Sequence, residues 1–333
     1  MSGGRSRSFP SLPRRALPRR ALLAAALAAP AIGRASARTP AIDKVELLLD
    51  WKPSPTYAGF YLAQKMGAFE RRGLDVSIAV GHGATASAET IGSGKGAWIG
   101  SSSGAATAIQ RSRGAAIRSL AVYYRDTPTV IYSLPERPIL RPQDLLGRRI
   151  GLVPGSITVE EYRGLLAANR LDRQKITEVE VDWSARPLLD GKVDALIDYK
   201  EITPAELLSG GTKLATLRLA AFGVRCYSLN LIVNDAAWAD PARRGAAERI
   251  AAALVDGYNF VHGQPAQAAA SFAPLFPRLS PLYVKQGMAD VARQLGAPPI
   301  GGQTREGWQA TLATLTDLGL LARPLTVDEV AIL

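Results

Sequence analysis

A chain of 333 residues that is 47% hydrophobic and 21% charged has the composition of a folded protein of one or two domains, which excludes a disordered polymer and a multi-span membrane protein. Its formal net charge of +11 points to an acidic partner, but seven positive charges, Arg5, Arg7, Arg14, Arg15, Arg19, Arg20 and Arg34, fall in the first 37 residues with no acid among them. Their removal leaves +4, and a nucleic-acid partner loses its main support.

Residues 1–37 read as an export signal. The apolar run Ala21 to Ile32 is too short to span a bilayer and leads to Ala35-Ser36-Ala37, a small-x-small cleavage pattern. Arg19-Arg20 directly before "ALLAAALAA" resembles a twin-arginine signal, with Arg14-Arg15 as a second pair and an ordinary secretory signal as the alternative. Cys226 is the single cysteine, so no intrachain disulfide forms, and none stands at the end of the signal to carry a lipid. The expectation is a freely soluble periplasmic protein.

From Val45 onward, short apolar runs alternate with longer amphipathic ones, which predicts an α/β architecture with largely parallel strands. Val45 to Leu49 reads as the first strand and Tyr57 to Met66 as a helix, with Gly67 placed as its left-handed cap. Leu74 to Val80 alternates as a strand. "GHGATASAETIGSGKG" gives a loop and a helix, "AWIG" a short strand, "SSSGAATAIQRSRG" a serine loop running into a helix, and "IRSLAVYY" a strand. The prolines and charges of Pro135 to Arg149 read as a linker. A second set follows: "RRIGLV", a helix from Ile157 to Ala168, "ITEVEVD", a helix near Pro187, and "VDALIDY". Then comes the strand-like Tyr227 to Asp235, which leads back toward the first lobe, and helices over Pro241 to His262, Pro265 to Phe272, Pro281 to Leu295 and Arg305 to Leu318. The expected division is 43–132 with 232–333 in one lobe and 133–231 in the other.

Two such sets predict two lobes with a cleft between them, and ligands of such folds bind where loops leave the carboxyl ends of strands beside helix N-termini. Asp50 to Tyr57 is such a loop. An indole at Trp51, stiffened by Pro53 and Pro55, leaves apolar area exposed unless a ligand stacks on it or the core takes it. Ser101, Ser102 and Ser103 ahead of a helix, and Gly155-Ser156 ahead of Ile157, are either ligand contacts or helix caps. Tyr199 and Tyr227, at the edges of strand-like runs, are further candidates. Glu206 alone reads as a solvated helix acid.

Other motifs carry no chemistry. "GSGKG" has Gly96 where a phosphate loop needs Ser or Thr, and it leaves a helix instead of following a strand. His82 and His262 lie apart with no cysteine nearby, which argues against zinc, and no G-x-S-x-G elbow accompanies them. Neither a metal nor a cofactor is expected.

"LDWKPSPTYAGFYLAQKMGAFERRGLDVSI", with "ETIGSGKGAWIG", "DLLGRRIGLVPG", "LLDGKVDALIDYKEITPAEL" and "DLGLLARPLTVDEV", resembles bacterial proteins that deliver thiamine pyrimidine precursors to ABC transporters and share a fold with the eukaryotic thiamine-pyrimidine synthase. The resemblance implies a type II periplasmic binding fold whose lobes are hinged by two crossing segments, and a monomer partnered by an ABC permease at the inner membrane. It implies that Trp51 stacks on a flat heteroaromatic ring and Glu206 pairs with its amino-substituted edge. Ser54 and Tyr57 stand where the family commonly has Asn and His, so the ligand can differ from the pyrimidine precursor. The synthase's cysteine cluster, lysine and histidine are missing from "IGSSSGAATA" and "FGVRCYS". The alternatives are a binder of a sulfonate, taurine, nitrate or similar anion, a synthase-like enzyme, and a sensor without a transport partner.

Overall fold

A computed structural model describes residues 43–333, and the export signal and cleavage site expected from the sequence lie outside those residues. Ten strands are described: β1 (Asp43–Leu48), β2 (Leu74–Ala79), β3 (Ile99–Ser103), β4 (Ile117–Val122), β5 (Thr129–Ser133), β6 (Arg149–Leu152), β7 (Thr177–Glu180), β8 (Ala195–Tyr199), β9 (Ala215–Arg218) and β10 (Leu229–Asn234). They form two sheets of five, in the orders β2-β1-β3-β10-β4 and β7-β6-β8-β5-β9. In each sheet four strands run the same way. The strand that arrives from the other lobe, β10 or β5, runs against both its neighbours.

The sheets fix where the chain changes lobe. It crosses at 123–128 and again at 219–228, a few residues before the changes read from the sequence at 132 and 231. The proline-rich stretch after Pro135 is not a linker: it lies between β5 and β6, inside the second lobe, where Pro142–Leu145 makes a single 3-10 turn. Proline and charge mark any exposed loop, so composition alone could not separate a connection within a lobe from one between lobes.

Most elements follow from periodicity. The first helix is split into a 3-10 turn, Pro55–Tyr57, and an α-helix, Ala58–Lys65, and Gly67 behind it takes a φ of 67°. The carboxyl-terminal helices Pro241–Gly263, Pro265–Phe272 and Pro281–Leu295 fall where their proline starts and apolar stripes place them, and Arg305–Asp317 starts behind a Thr304 cap instead. All six residues of β10 are buried, as expected of a strand with neighbours on both edges and helices on both faces.

Small residues set the closest packing. A Cβ on Gly257 would stand 2.0 Å from the Gly59 carbonyl oxygen, so the helices Ala58–Lys65 and Pro241–Gly263 cross with their backbones in contact. Helix Arg305–Asp317 seals the first lobe: Trp308 meets Tyr227 edge to face at 5.3 Å, and a Cβ on Gly307 would fall 1.8 Å from the Tyr227 hydroxyl. Among the described residues no helix is long and apolar enough to cross a membrane.

Candidate functional site

A recess of about 430 Å³, counted to its open mouth, lies between the lobes at the carboxyl ends of the strands. The first lobe contributes Asp50 and Trp51 from the loop after β1, Tyr57 from the 3-10 turn, and Gly83 and Ala84 at the start of helix Ala84–Gly92. The second contributes Ser156, Ile157 and Thr158 at the start of helix Ile157–Ala168, Trp183 after β7, Asp198 and Tyr199 ending β8, and Ile202.

Each lobe supplies one indole and one acid. Trp51 and Trp183 meet across the mouth with ring centroids 4.8 Å apart and planes tilted by 58°. Asp50 is buried; its N–H donates to Ser101 Oγ at 2.9 Å, and the Ser101 hydroxyl donates to the Asp50 carboxylate. Burial pushes the Asp50 carboxyl above its ordinary range, while Ser101 and the adjacent Tyr57 hydroxyl partly offset that. Asp198 accepts from the Tyr199 and Thr203 N–H groups at 2.7 and 3.3 Å and from the Thr203 hydroxyl at 2.5 Å. Burial still pushes Asp198 up to about 6, against the pull of Thr203, the backbone and Lys52.

The two helix starts supply the opposite polarity. Neither Gly83 nor Ser156 caps its helix through a side chain, and the Ser156 hydroxyl instead meets Thr158 Oγ1 at 2.7 Å. Backbone N–H groups, each helix with its partial positive charge, therefore face the recess beside the two acids. Such a surface receives a ligand that both donates and accepts hydrogen bonds. Among the described residues no lysine, arginine or histidine lines it.

The sequence candidates divide accordingly. Asp50, Trp51, Tyr57, Ser156 and Tyr199 line the recess, with the Tyr199 hydroxyl 3.2 Å from Ser228 Oγ in the second crossing. Ser101, Ser102 and Ser103 are not a loop but part of β3, and all three are fully buried. They hold the frame: Ser101 fixes Asp50, Ser102 donates to the Ala84 carbonyl at 2.9 Å, and Ser103 caps helix Gly104–Ser112 through the Ala106 N–H at 3.0 Å. Gly155 is exposed beside the recess, outside its lining. Tyr227 packs within the first lobe on Trp308, and its N–H donates to Thr311 Oγ1 at 3.0 Å. Glu206 corrects the expected pairing: it is exposed on helix Thr203–Ser209 and outside the recess, and the acid that the second lobe presents there is Asp198.

Asp198 and Trp183, absent from the sequence candidates, do carry a sequence signal. "LIDY" ends an apolar run in an acid as "LLLD" does, and "VDW" at 181–183 repeats the "LDW" at 49–51, each behind a strand.

Two α/β lobes joined by two crossings, with a ligand-sized recess at the strand ends between them, define a periplasmic binding protein fold of type II. The chain belongs to the NMT1/THI5-like family, whose model matches residues 54–268. It is similar to a formylaminopyrimidine-binding protein of Halalkalibacterium halodurans, 24% identical over 87% of this chain and 89% of that one. It is also similar to a 4-amino-5-hydroxymethyl-2-methylpyrimidine phosphate synthase of Saccharomyces cerevisiae, 29% identical over 58% of this chain, a match that spans only 60% of the yeast protein. In structure it is similar to the alkanesulfonate-binding protein SsuA of Xanthomonas axonopodis pv. citri bound to MOPS, with a TM-score of 0.70, 16% identity, and coverage of 88% of this chain and 99% of that one.

Proposed function

We propose that the protein is the solute-binding component of an ABC importer that works outside the cytoplasm. It captures a small planar amino-heterocycle of the pyrimidine-precursor class and presents it, as a monomer, to a membrane permease. The observation that carries this reading is the paired lining, an indole and an acid from each lobe around uncapped helix starts. The ring lies against Trp51, its amino group donates to Asp198, and its acceptor atoms take the N–H groups of Ala84 and of Ile157 and Thr158, since those of Gly83 and Ser156 already donate to the Asp50 and Val153 carbonyls. Closure follows from differential affinity, because a ligand that touches both lobes stabilises only the apposed arrangement. The similar formylaminopyrimidine-binding protein supports the ligand class, and the Arg-rich start supports export.

The function is binding without catalysis. The lining holds no lysine to form an imine and no histidine or cysteine to act as base or nucleophile. The protein as purified is expected to show no aldimine absorbance of bound pyridoxal phosphate, and a visible band would restore the enzyme reading. A second reading, a small anion such as a sulfonate, is favoured by the two uncapped helix starts and opposed by the two acids with no cation in the lining. Calorimetry with 4-amino-5-hydroxymethyl-2-methylpyrimidine, its formylamino relative and an alkanesulfonate side by side decides. Micromolar or tighter binding of a pyrimidine alone supports the first reading, and binding of the sulfonate alone overturns it.

A further inference from the structure

We infer that closing the lobes takes up a proton at Glu201, so that the cleft grips its ligand more tightly in mildly acidic than in mildly alkaline solution. This rests on the reading that the cleft binds by closure.

Glu201 follows β8 on the second lobe, is 1% exposed, and lies outside the recess lining. What covers it belongs largely to the first lobe and the first crossing. Thr56 Oγ1 donates to its Oε1 at 3.4 Å, and a Cβ on Gly287 of helix Pro281–Leu295 would lie 3.4 Å from its backbone carbonyl oxygen. Tyr124, in the crossing, lies beside the carboxyl without a well-aligned hydrogen bond. Asp290 faces it from helix Pro281–Leu295, Asp198 from its own lobe, and Tyr258 and Tyr199 from either side. The nearby cations are engaged elsewhere: Lys200 pairs with Asp290 at 3.0 Å across the lobes, and Arg293 pairs with Asp290 as well. Tyr283, on the same helix, also feels the Glu201 charge.

An acid buried among acids with no cation of its own favours its neutral form, and burial with Asp290 and Asp198 nearby pushes Glu201 up to about 7. When the lobes part, Thr56 and the helix over Glu201 leave with the first lobe. The carboxyl then meets water, where its ordinary value near 4.5 applies. The closed form holds a proton that the open form releases, so closure gains as pH falls through 7, by roughly tenfold between pH 8 and pH 6.

The test is calorimetry with 4-amino-5-hydroxymethyl-2-methylpyrimidine at pH 6 and 8, and at pH 7 in two buffers of different ionisation enthalpy, on the native protein and on Glu201→Gln. The expected result is a gain in affinity from pH 8 to 6 that exceeds the variant's by roughly tenfold, with about half a proton more taken up at pH 7. Titration of the pyrimidine, Asp50 or Asp198 is common to both proteins and drops out of the difference. Equal pH dependence and proton uptake in the two overturn the inference. Should the pyrimidine not bind at all, the ligand reading falls, and small-angle X-ray scattering of the ligand-free proteins still decides. The native protein is then more compact at pH 6 than at pH 8 and Glu201→Gln equally compact at both, whereas a native protein of equal radius at both overturns the inference. If Glu201→Gln does not fold, Glu201→Met, an uncharged side chain of similar length, takes its place in the same comparisons.

Discussion

Asp198 ends a strand and points its backbone-held carboxylate toward the recess, whereas Glu206 sits a turn into the next helix and faces solvent. An acid already held by N–H groups reaches a ligand amine without ordering a long side chain, which favours Asp198 as the proposed second-lobe contact. Asp198→Asn is expected to weaken aminopyrimidine binding by about 10- to 100-fold in calorimetry, while Glu206→Gln leaves it within about twofold. Trp51→Ala removes one face of the proposed clamp and its contact with Trp183, with an expected loss of about tenfold in affinity and a smaller ligand-induced change in tryptophan fluorescence, carried by Trp183 alone. Glu161 carries a different lesson. It is buried beside Thr129 and Thr127, one carboxylate oxygen has no partner, and burial pushes it up to about 7 from an ordinary 4.5. The folded state therefore favours the protonated acid. Its full contribution to stability is present below pH 4.5 and lost as pH rises through 7, a cost on the order of 3 kcal/mol at most. Glu161→Gln is expected to raise the melting temperature at pH 8 and leave it nearly unchanged at pH 4.5.

Strands and helices with strong periodicity were readable, and the failures share a cause. Ser101–Ser103 carry the composition of a loop but lie in β3, where Ser102 pairs with Asn230 and Ser101 with Leu231 of β10. A buried strand reads as polar when its side chains satisfy one another and the backbone, and a single sequence does not show those partners. β5, "TVIYS", and β9, "ATLR", escape periodicity because a short run needs neighbouring strands to define it. The close crossing of helices Ala58–Lys65 and Pro241–Gly263 was equally invisible, since Gly257 is distant in sequence from the carbonyl it touches. Gly257→Ala puts a methyl group against backbone that cannot swing aside, and is expected to destabilise the protein by about 3 kcal/mol and lower its melting temperature by roughly 5 °C or more.

At the scale of the whole molecule, the two-lobed plan was legible from the alternation of strands and helices, and the recess from the acid and indole that follow β1. The meeting of the two halves was not legible. Trp183 and Asp198 belong to the lobe inserted between β4 and β10, and only the crossings bring them opposite Trp51 and Asp50. A ligand held by both halves should draw them together, so small-angle scattering is expected to show a smaller radius of gyration with saturating pyrimidine than without. An unchanged radius would mean a rigid cleft.

The strand β10 lies between β3 and β4 although it follows both by a hundred residues or more. A chain emerging amino end first can therefore finish the inserted half, residues 129–218, while the other half still has an unfilled seam, with the hydroxyl-bearing edge of β3 on one side and β4 on the other. The half that begins first is completed last.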